Sequence, residues 1–205
     1  LLTAAAASLG MIPAEAAERI TNAAKIEKLD QPAIAKGIQE LGHSLVPLLR
    51  QLEVEAGSYA SQYIHYGATT QDIQDTGQSL EFRDVLDVVE ADLNTILDKL
   101  EPLALEHKEQ LMVGRTHAQP ALPTTFGLKV ASWIDELTRH MQRLYEARPR
   151  LQVAQLYGGV GTMAAFRGEG PRLIKAFAEE LGLYAPVVGW HVARDRVSEF
   201  LFLLA

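Results

Sequence analysis

The chain has 205 residues, 48% of them hydrophobic, and its 19 Lys and Arg against 26 Asp and Glu leave a net charge of −7. That is one or two domains' worth of chain with enough apolar residues for a core, and an acidic sequence without a basic run argues against nucleic acid as a partner. The absence of cysteine excludes disulfides, thiolate catalysis and Cys-ligated zinc and fits a reducing cytoplasm, while no apolar run reaches the roughly 18 residues of a membrane span.

The chain opens inside an apolar helical run, LLTAAAASLG. Pro13 suits a first helical turn and starts a helix predicted to reach about Leu29. Asp30, in LDQP, is the expected N-cap of the next helix. Gly42-His43-Ser44 interrupts it, and SLVPLLRQLEVEA resumes. Residues Gly57 to Thr70 read as a loop with a short helical turn. The longest element follows. From Phe82 the apolar positions Leu86, Val89, Leu93, Ile96, Leu100 and Leu103 step by threes and fours, the pattern of one buried helix face. Pro102 is expected to kink that helix or mark a joint.

A second long helix is read from Phe126, Val130, Trp133, Leu137, Met141 and Leu144, and is expected to persist to about Gln155. YGGVGTMAAF breaks it, a shorter helix spans Pro171 to Leu181, and the last begins near HVARDR and runs on to the final residues, RVSEFLFLLA. Both ends read as cuts through helices. Almost no segment alternates with period two, so the predicted class is all-α. Two long apolar stripes need more partners than this chain supplies, which implies oligomerisation.

Three polar segments break the helices. In YIHYGATTQDIQDTG, Thr69, Thr70 and Gln71 stand where the long helix begins, with His65 upstream. Hydroxyls and free N–H groups there either cap the helix or hold a carboxylate or phosphate. In GRTHAQPALPTTFG, residues 114–127, Arg115 offers a planar cation to a carboxylate, Thr116 and Gln119 offer hydrogen bonds, and His117 can move a proton near neutral pH. Pro120 and Pro123 stiffen the segment, which otherwise reads as a rigid connector. In WHVARDRVSEF, Arg194 and Arg196 flank Asp195 as surface charges or as ligand contacts. GGVGT lacks the lysine of a phosphate-binding loop. His107 and His140 read as solvated helix residues. No two histidines stand at metal-ligand spacing with a carboxylate, so no metal site is expected.

HYGATTQDIQDT, GRTHAQPALPTTFGLK, GGVGTMAA and RDRVSE, in that order along long helices, resemble the fumarase/aspartase superfamily. The similarity is strongest to the branch shared by adenylosuccinate lyase and 3-carboxy-cis,cis-muconate cycloisomerase. It covers nearly the whole chain and corresponds to the N-terminal half of such an enzyme. The resemblance implies a small helical N-terminal domain (1–68) followed by the first part of a long-helix bundle (69–205). It also implies a homotetramer in which each active site draws segments from three subunits. No cofactor or metal is implied. The implied partner is a small dicarboxylate or succinyl compound, with no nucleic acid and no membrane. The implied reaction is β-elimination of fumarate from a succinyl group, of adenylosuccinate-lyase type, with lactonising cycloisomerisation as the alternative. His117 takes the place of the general acid that protonates the leaving group. His65 would orient substrate, and Thr69, Thr70, Gln71, Arg115, Thr116, Gln119 and Arg194 would bind it. His43, in GHSLVPL, falls near a further active-site histidine of adenylosuccinate lyases. The family's base is a serine in a mobile loop that resembles no part of this sequence and is expected beyond Ala205, so the 205 residues alone are expected to be inactive. A non-catalytic helical oligomerisation module is the alternative from another class. It leaves the concentration of His, Arg, Thr and Gln at the helix breaks unexplained.

Overall fold

The computed structural model describes residues 1–205. Eight α-helices carry the fold: α1 (Leu2–Ser8), α2 (Ala14–Ala23), α3 (Gln31–Leu41), α4 (Val46–Ser61), α5 (Thr70–Glu106), α6 (Phe126–Leu151), α7 (Gly170–Leu181) and α8 (Asp195–Leu204). A two-stranded antiparallel hairpin, β1 (Leu111–Thr116) and β2 (Gln119–Thr125), lies between α5 and α6. The mostly helical class expected from the sequence is what the chain adopts.

Contacts divide the chain into two compact units. The first comprises residues 1–80 with 152–194, the second 81–151 with 195–205. In the first unit, α1, α7 and the extended segment after α6 share an apolar core that includes Ala5, Ile12, Leu156, Phe166, Leu173 and Phe177. A second cluster joins Ala16, Ile20 and Ala23 of α2 to Ala56 and Ala60 of α4. Asp30 caps α3 as expected, its carboxylate accepting the Ala33 N–H at 3.0 Å. The helix from Pro13 stops at Ala23 instead of reaching Leu29, and a 3₁₀ turn over Ile26–Lys28 takes the remainder. Ile26 is exposed, so no burial pulls that stretch into a longer helix. Gly57 breaks the helical backbone inside α4.

In the second unit, Phe82 and Leu86 of α5 pack with Leu144, Ala147 and Leu151 of α6 and with Phe200 of α8. Phe82 and Phe200 stack at 4.0 Å between ring centroids. The predicted apolar face of α5 is thus covered through Val89 and Leu93, while Ile96 and Leu105 remain exposed. Pro102 does not end the helix, which runs on to Glu106. Helix α6 stops at Leu151, four residues short of the expected end, because Gln152 to Tyr157 turn into a buried extended segment of the first unit.

Candidate active site

The first polar segment leads into α5. The opening turns of this helix bury polar groups in place of apolar ones: Asp72, Asp75, Thr76 and Ser79 are all at most 4% exposed. Asp72, Thr76 and Ser79 recur at helical spacing on one face, and each is satisfied by the extended segment that follows α6. Thr76 Oγ1 donates to the Gln155 carbonyl and accepts the Gln155 N–H, both at 2.9 Å, and Ser79 Oγ donates to the Val153 carbonyl at 2.8 Å. The Asp72 carboxylate accepts three N–H groups at 2.9 Å, from Thr69, Tyr157 and Gly158. The Thr69 bond is the returning half of a capping box. The other two tie the turn before α5 to the start of the GGVGT loop. Gly67, in the same turn, has φ +66°, and a Cβ there would come within 2.4 Å of the Phe166 ring, so only glycine fits.

The remaining predicted residues of this segment cluster nearby. Gln71 donates to Asp75 at 2.8 Å. Arg194 grips the same Asp75 in a bidentate pair at 2.8 and 2.9 Å, and its guanidinium lies 5.5 Å from the Trp190 ring centroid. Its role as a simple surface charge is therefore corrected: its anion is almost fully buried. Arg196 donates to the Arg150 carbonyl in the second unit. Thr70 Oγ1 lies 3.4 Å from Nε2 of His43, whose Nδ1 accepts the Leu45 and Val46 N–H groups at the start of α4. Backbone donors on Nδ1 place the ring proton on Nε2, where it points at the Thr70 hydroxyl. His65 adopts a left-handed backbone, φ 56°, and its Nδ1 is buried without a partner. Burial pushes its pKa below the ordinary value, against a smaller upward pull from the Asp72 charge.

The second polar segment, on the second unit, is not a loop. It is the hairpin, closed by Thr116 opposite Gln119, with His117 and Ala118 at its tip. Both tip residues have positive φ, 47° and 61°, the backbone of a type I′ turn that Asn-Gly usually supplies. A histidine and an alanine held there are strained, and strain of that kind gathers at functional positions. A register irregularity between Val113 and Arg115 re-aims the arginine. Arg115, Thr116, His117 and Gln119 are all exposed. The strands of this connector were not expected because neither buries a residue fully and LMVGRT and QPALPTT carry no apolar alternation to read. Beside the hairpin, Arg115 lines a cleft with Thr124, Lys129 and Ser132. Of the other histidines, His107 packs its ring edge against Phe126, and His140 stands 3.9 Å from Glu136.

Two residues of unassigned role emerge from the structure. Gln155 is fully buried: its Oε1 accepts the Trp190 N–H at 2.9 Å and its Nε2 lies 3.0 Å from His191 Nδ1. Gln155 was not legible as a site residue because its neighbours Ala154 and Leu156 are apolar, and His191, though within the third polar segment, has its partner 36 residues away.

Taken as chemistry, the chain offers a strained, solvent-facing histidine among arginine, threonine and glutamine, and a helix start furnished with hydroxyls and fixed N–H groups. That equipment suits proton transfer on an anionic substrate. Residues 1–205 match, from end to end, a family described as lyase. N-acetyl-S-(2-succino)cysteine lyase from Dickeya dadantii is 43% identical over 97% of this chain and 44% of its own length. Adenylosuccinate lyase from Methanocaldococcus jannaschii is 41% identical over 100% of the chain and 44% of its own. The crystal structure of 3-carboxy-cis,cis-muconate lactonizing enzyme from Pseudomonas putida superposes with a TM-score of 0.94 at 43% identity, covering 99% of this chain and 47% of that one. The chain belongs to the fumarase/aspartase superfamily of lyases. It spans less than half the length of the relatives it matches. No helix in it is long and apolar enough to cross a membrane.

Proposed function

We propose that this chain forms the N-terminal half of a lyase that eliminates fumarate from a succinyl compound, of adenylosuccinate-lyase type. The observation that carries the reading is His117, held at positive φ on an exposed tip with Arg115, Thr116 and Gln119 beside it. A base removes the proton from the carbon next to one carboxylate, and the electron pair passes into that carboxylate as an aci-form. The pair then returns to form the C=C bond as the C–N or C–S bond breaks, and the leaving atom takes a proton from His117. Thr69, Thr70, Gln71, Arg115 and Gln119 stabilise the added negative charge, and His65 and His43 border the same segment. Arg194, through Asp75, orders the Gln71 turn. The base is proposed to come from the part of the relatives' length that this chain does not span. Exposed apolar residues on α5 and α6, such as Ile96, Leu105, Leu128 and Trp133, support assembly into a homotetramer that gathers these segments.

A second reading, lactonising cycloisomerisation, is favoured by the likeness to the Pseudomonas putida enzyme. The test is a substrate panel on a protein of the relatives' length. Adenylosuccinate and N-acetyl-S-(2-succino)cysteine are followed by fumarate release, and 3-carboxymuconate by lactone formation. Turnover of a succinyl substrate supports the lyase. Lactone formation alone replaces it with the isomerase, and no turnover of any of the three defeats both.

A further inference from the structure

The segment Gly189–His191 is stitched to the buried segment Ala154–Tyr157 by more than one contact. The Trp190 ring nitrogen donates to the Ala154 carbonyl at 3.0 Å, and the Trp190 N–H donates to Gln155 Oε1 at 2.9 Å. Gly189 permits the approach: a Cβ there would come within 2.9 Å of Tyr157 Cβ and 3.3 Å of Gln155 Nε2. The Gln155 amide therefore has one orientation. Its oxygen is taken by the Trp190 N–H, so its Nε2 is a donor, and the atom 3.0 Å away, His191 Nδ1, must accept. The ring proton of neutral His191 then sits on Nε2. Fully buried Gln155 thus fixes the tautomer of a half-buried imidazole whose Nε2–H has no partner in the chain.

The imidazole lies beside the glycine turn Gly158–Thr162, with its Cε1 toward Gly161. A Cβ on Gly161 would lie 4.0 Å from His191 Cε1, and one on Gly159 would meet open space. The same turn is anchored through Gly158 to Asp72 at the start of α5, the segment assigned above to the substrate's carboxylate. Arg194 holds the His191 carbonyl from the other side, Nε to O at 3.1 Å, with its charge balanced by Asp75. Gln155 and Arg194 thus hold the residue through its Nδ1 and its carbonyl, and the Nε2–H is the ring donor left over.

We propose that His191 is a specificity-determining residue that presents a fixed Nε2–H donor to a carboxylate oxygen of the substrate beside the Gly158–Thr162 turn. This rests on the lyase reading for the identity of the substrate, but the fixed donor itself does not. An imidazole held with Nε2–H as its free donor selects for an acceptor at that place, because a substrate lacking it would leave the Nε2–H unpaired on binding.

Two measurements test it. Long-range ¹H–¹⁵N correlation of the imidazoles in the 205-residue chain, with His191→Gln to assign the signal, reads the tautomer directly. Nδ1 bare and Nε2 protonated is expected, and a proton on Nδ1 overturns the proposal. In the protein of the relatives' length, His191→Asn keeps an acceptor for Gln155 but loses the Nε2–H donor. It should lower kcat/KM by about 10- to 100-fold through KM, with kcat within about threefold. His191→Gln, which can return an N–H to the Nε2 position, should recover part of the loss. A His191→Asn protein with unchanged KM, or one that loses kcat alone, overturns the proposal while leaving the lyase intact. If the unmutated protein turns over no succinyl substrate, succinate is titrated as the probe. Movement of the His191 Nε2 signal then upholds the donor site even though the proposed reaction has failed, and its absence rejects both.

Discussion

Asp72 and Gly158 are 86 residues apart in sequence, yet Oδ2 of the fully buried Asp72 accepts the Gly158 N–H at 2.9 Å. The same carboxylate holds Tyr157 and Thr69, so one side chain determines where the turn before α5 and the glycine loop stand. Because carboxylate–N–H bonds are charge-assisted, they carry more free energy than neutral ones.

Asp72→Asn is the sharp test of that arrangement. It keeps the shape but turns one oxygen into an NH₂ group facing backbone donors. A loss of about 2–4 kcal/mol in denaturant unfolding is expected. Amide exchange of Tyr157 and Gly158 should accelerate beyond what the global loss explains. Wild-type stability and protection would show that the three bonds are replaceable by water.

At the hairpin tip, chemistry and strain can be separated by two substitutions. His117→Gln should lower kcat of the protein of the relatives' length by roughly 10²- to 10⁴-fold, the range of a general acid, without unfolding it. Ala118→Gly removes a Cβ from a left-handed residue, which relieves about 1–2 kcal/mol but returns about 0.4–1 kcal/mol of unfolded-state entropy. The net expectation is a gain of about 0.5–1 kcal/mol in thermal or chemical unfolding. A His117→Gln enzyme with normal turnover removes this residue from the mechanism. A destabilised Ala118→Gly would mean the tip is not strained.

The order of the helices was legible because their apolar residues recur at threes and fours, as at Phe82, Leu86, Val89 and Leu93. The motif residues were legible because Arg, His, Thr and Gln crowd into helix breaks. What escaped was the polar face of α5. Asp72, Thr76 and Ser79 keep helical spacing, but a search for apolar stripes reads them as solvated, and only their partners on residues 153–158 bury them. The hairpin escaped for the opposite reason: its strands bury no residue fully, and prolines, glycine and threonines interrupt any apolar alternation along them. His191 became visible only once Gln155 fixed its proton, a contact between residues 36 apart.

In the second unit, Arg148 bridges Asp87 at 2.8 Å and Glu90 at 2.5 Å, while the Tyr145 hydroxyl donates to Glu90 at 2.6 Å. The Tyr145 hydrogen bond and then the Arg148 cation hold the Glu90 carboxyl below its ordinary pKa. The Arg148 side chain is only 18% exposed and that of Glu90 25%, so this pair is screened less than surface pairs, whereas the pair with the exposed Asp87 contributes little. Arg148→Met should cost about 1–2 kcal/mol. Because the Glu90 shift is downward, that contribution is present above 4.5 and fades as pH falls through the lower folded value. Urea titrations of both proteins at neutral and acid pH check this: the gap between them should narrow in acid. A gap that is constant with pH would assign the loss to packing of the arginine stem.

His65 adds a second loss of stability on acidification, in a window that begins at higher pH. Its buried, unpartnered Nδ1 and lowered pKa mean that the folded chain resists taking a proton that the unfolded chain accepts at its ordinary value of 6.5. Between that value and the lower folded one, the unfolded state binds more protons, so stability rises with pH there and falls as the solution is acidified. Well above 6.5 both states are neutral and His65 contributes no pH dependence. Asparagine tolerates the left-handed backbone at this position, φ 56°, and does not titrate. His65→Asn should therefore flatten the stability profile on the acid side of 6.5, while the Glu90 contribution below 4.5 persists. Unfolding free energies of the two proteins, measured by urea at closely spaced pH values, supply the comparison. Parallel profiles across that window would mean that His65 binds its proton equally well folded and unfolded, and that burial does not govern its titration.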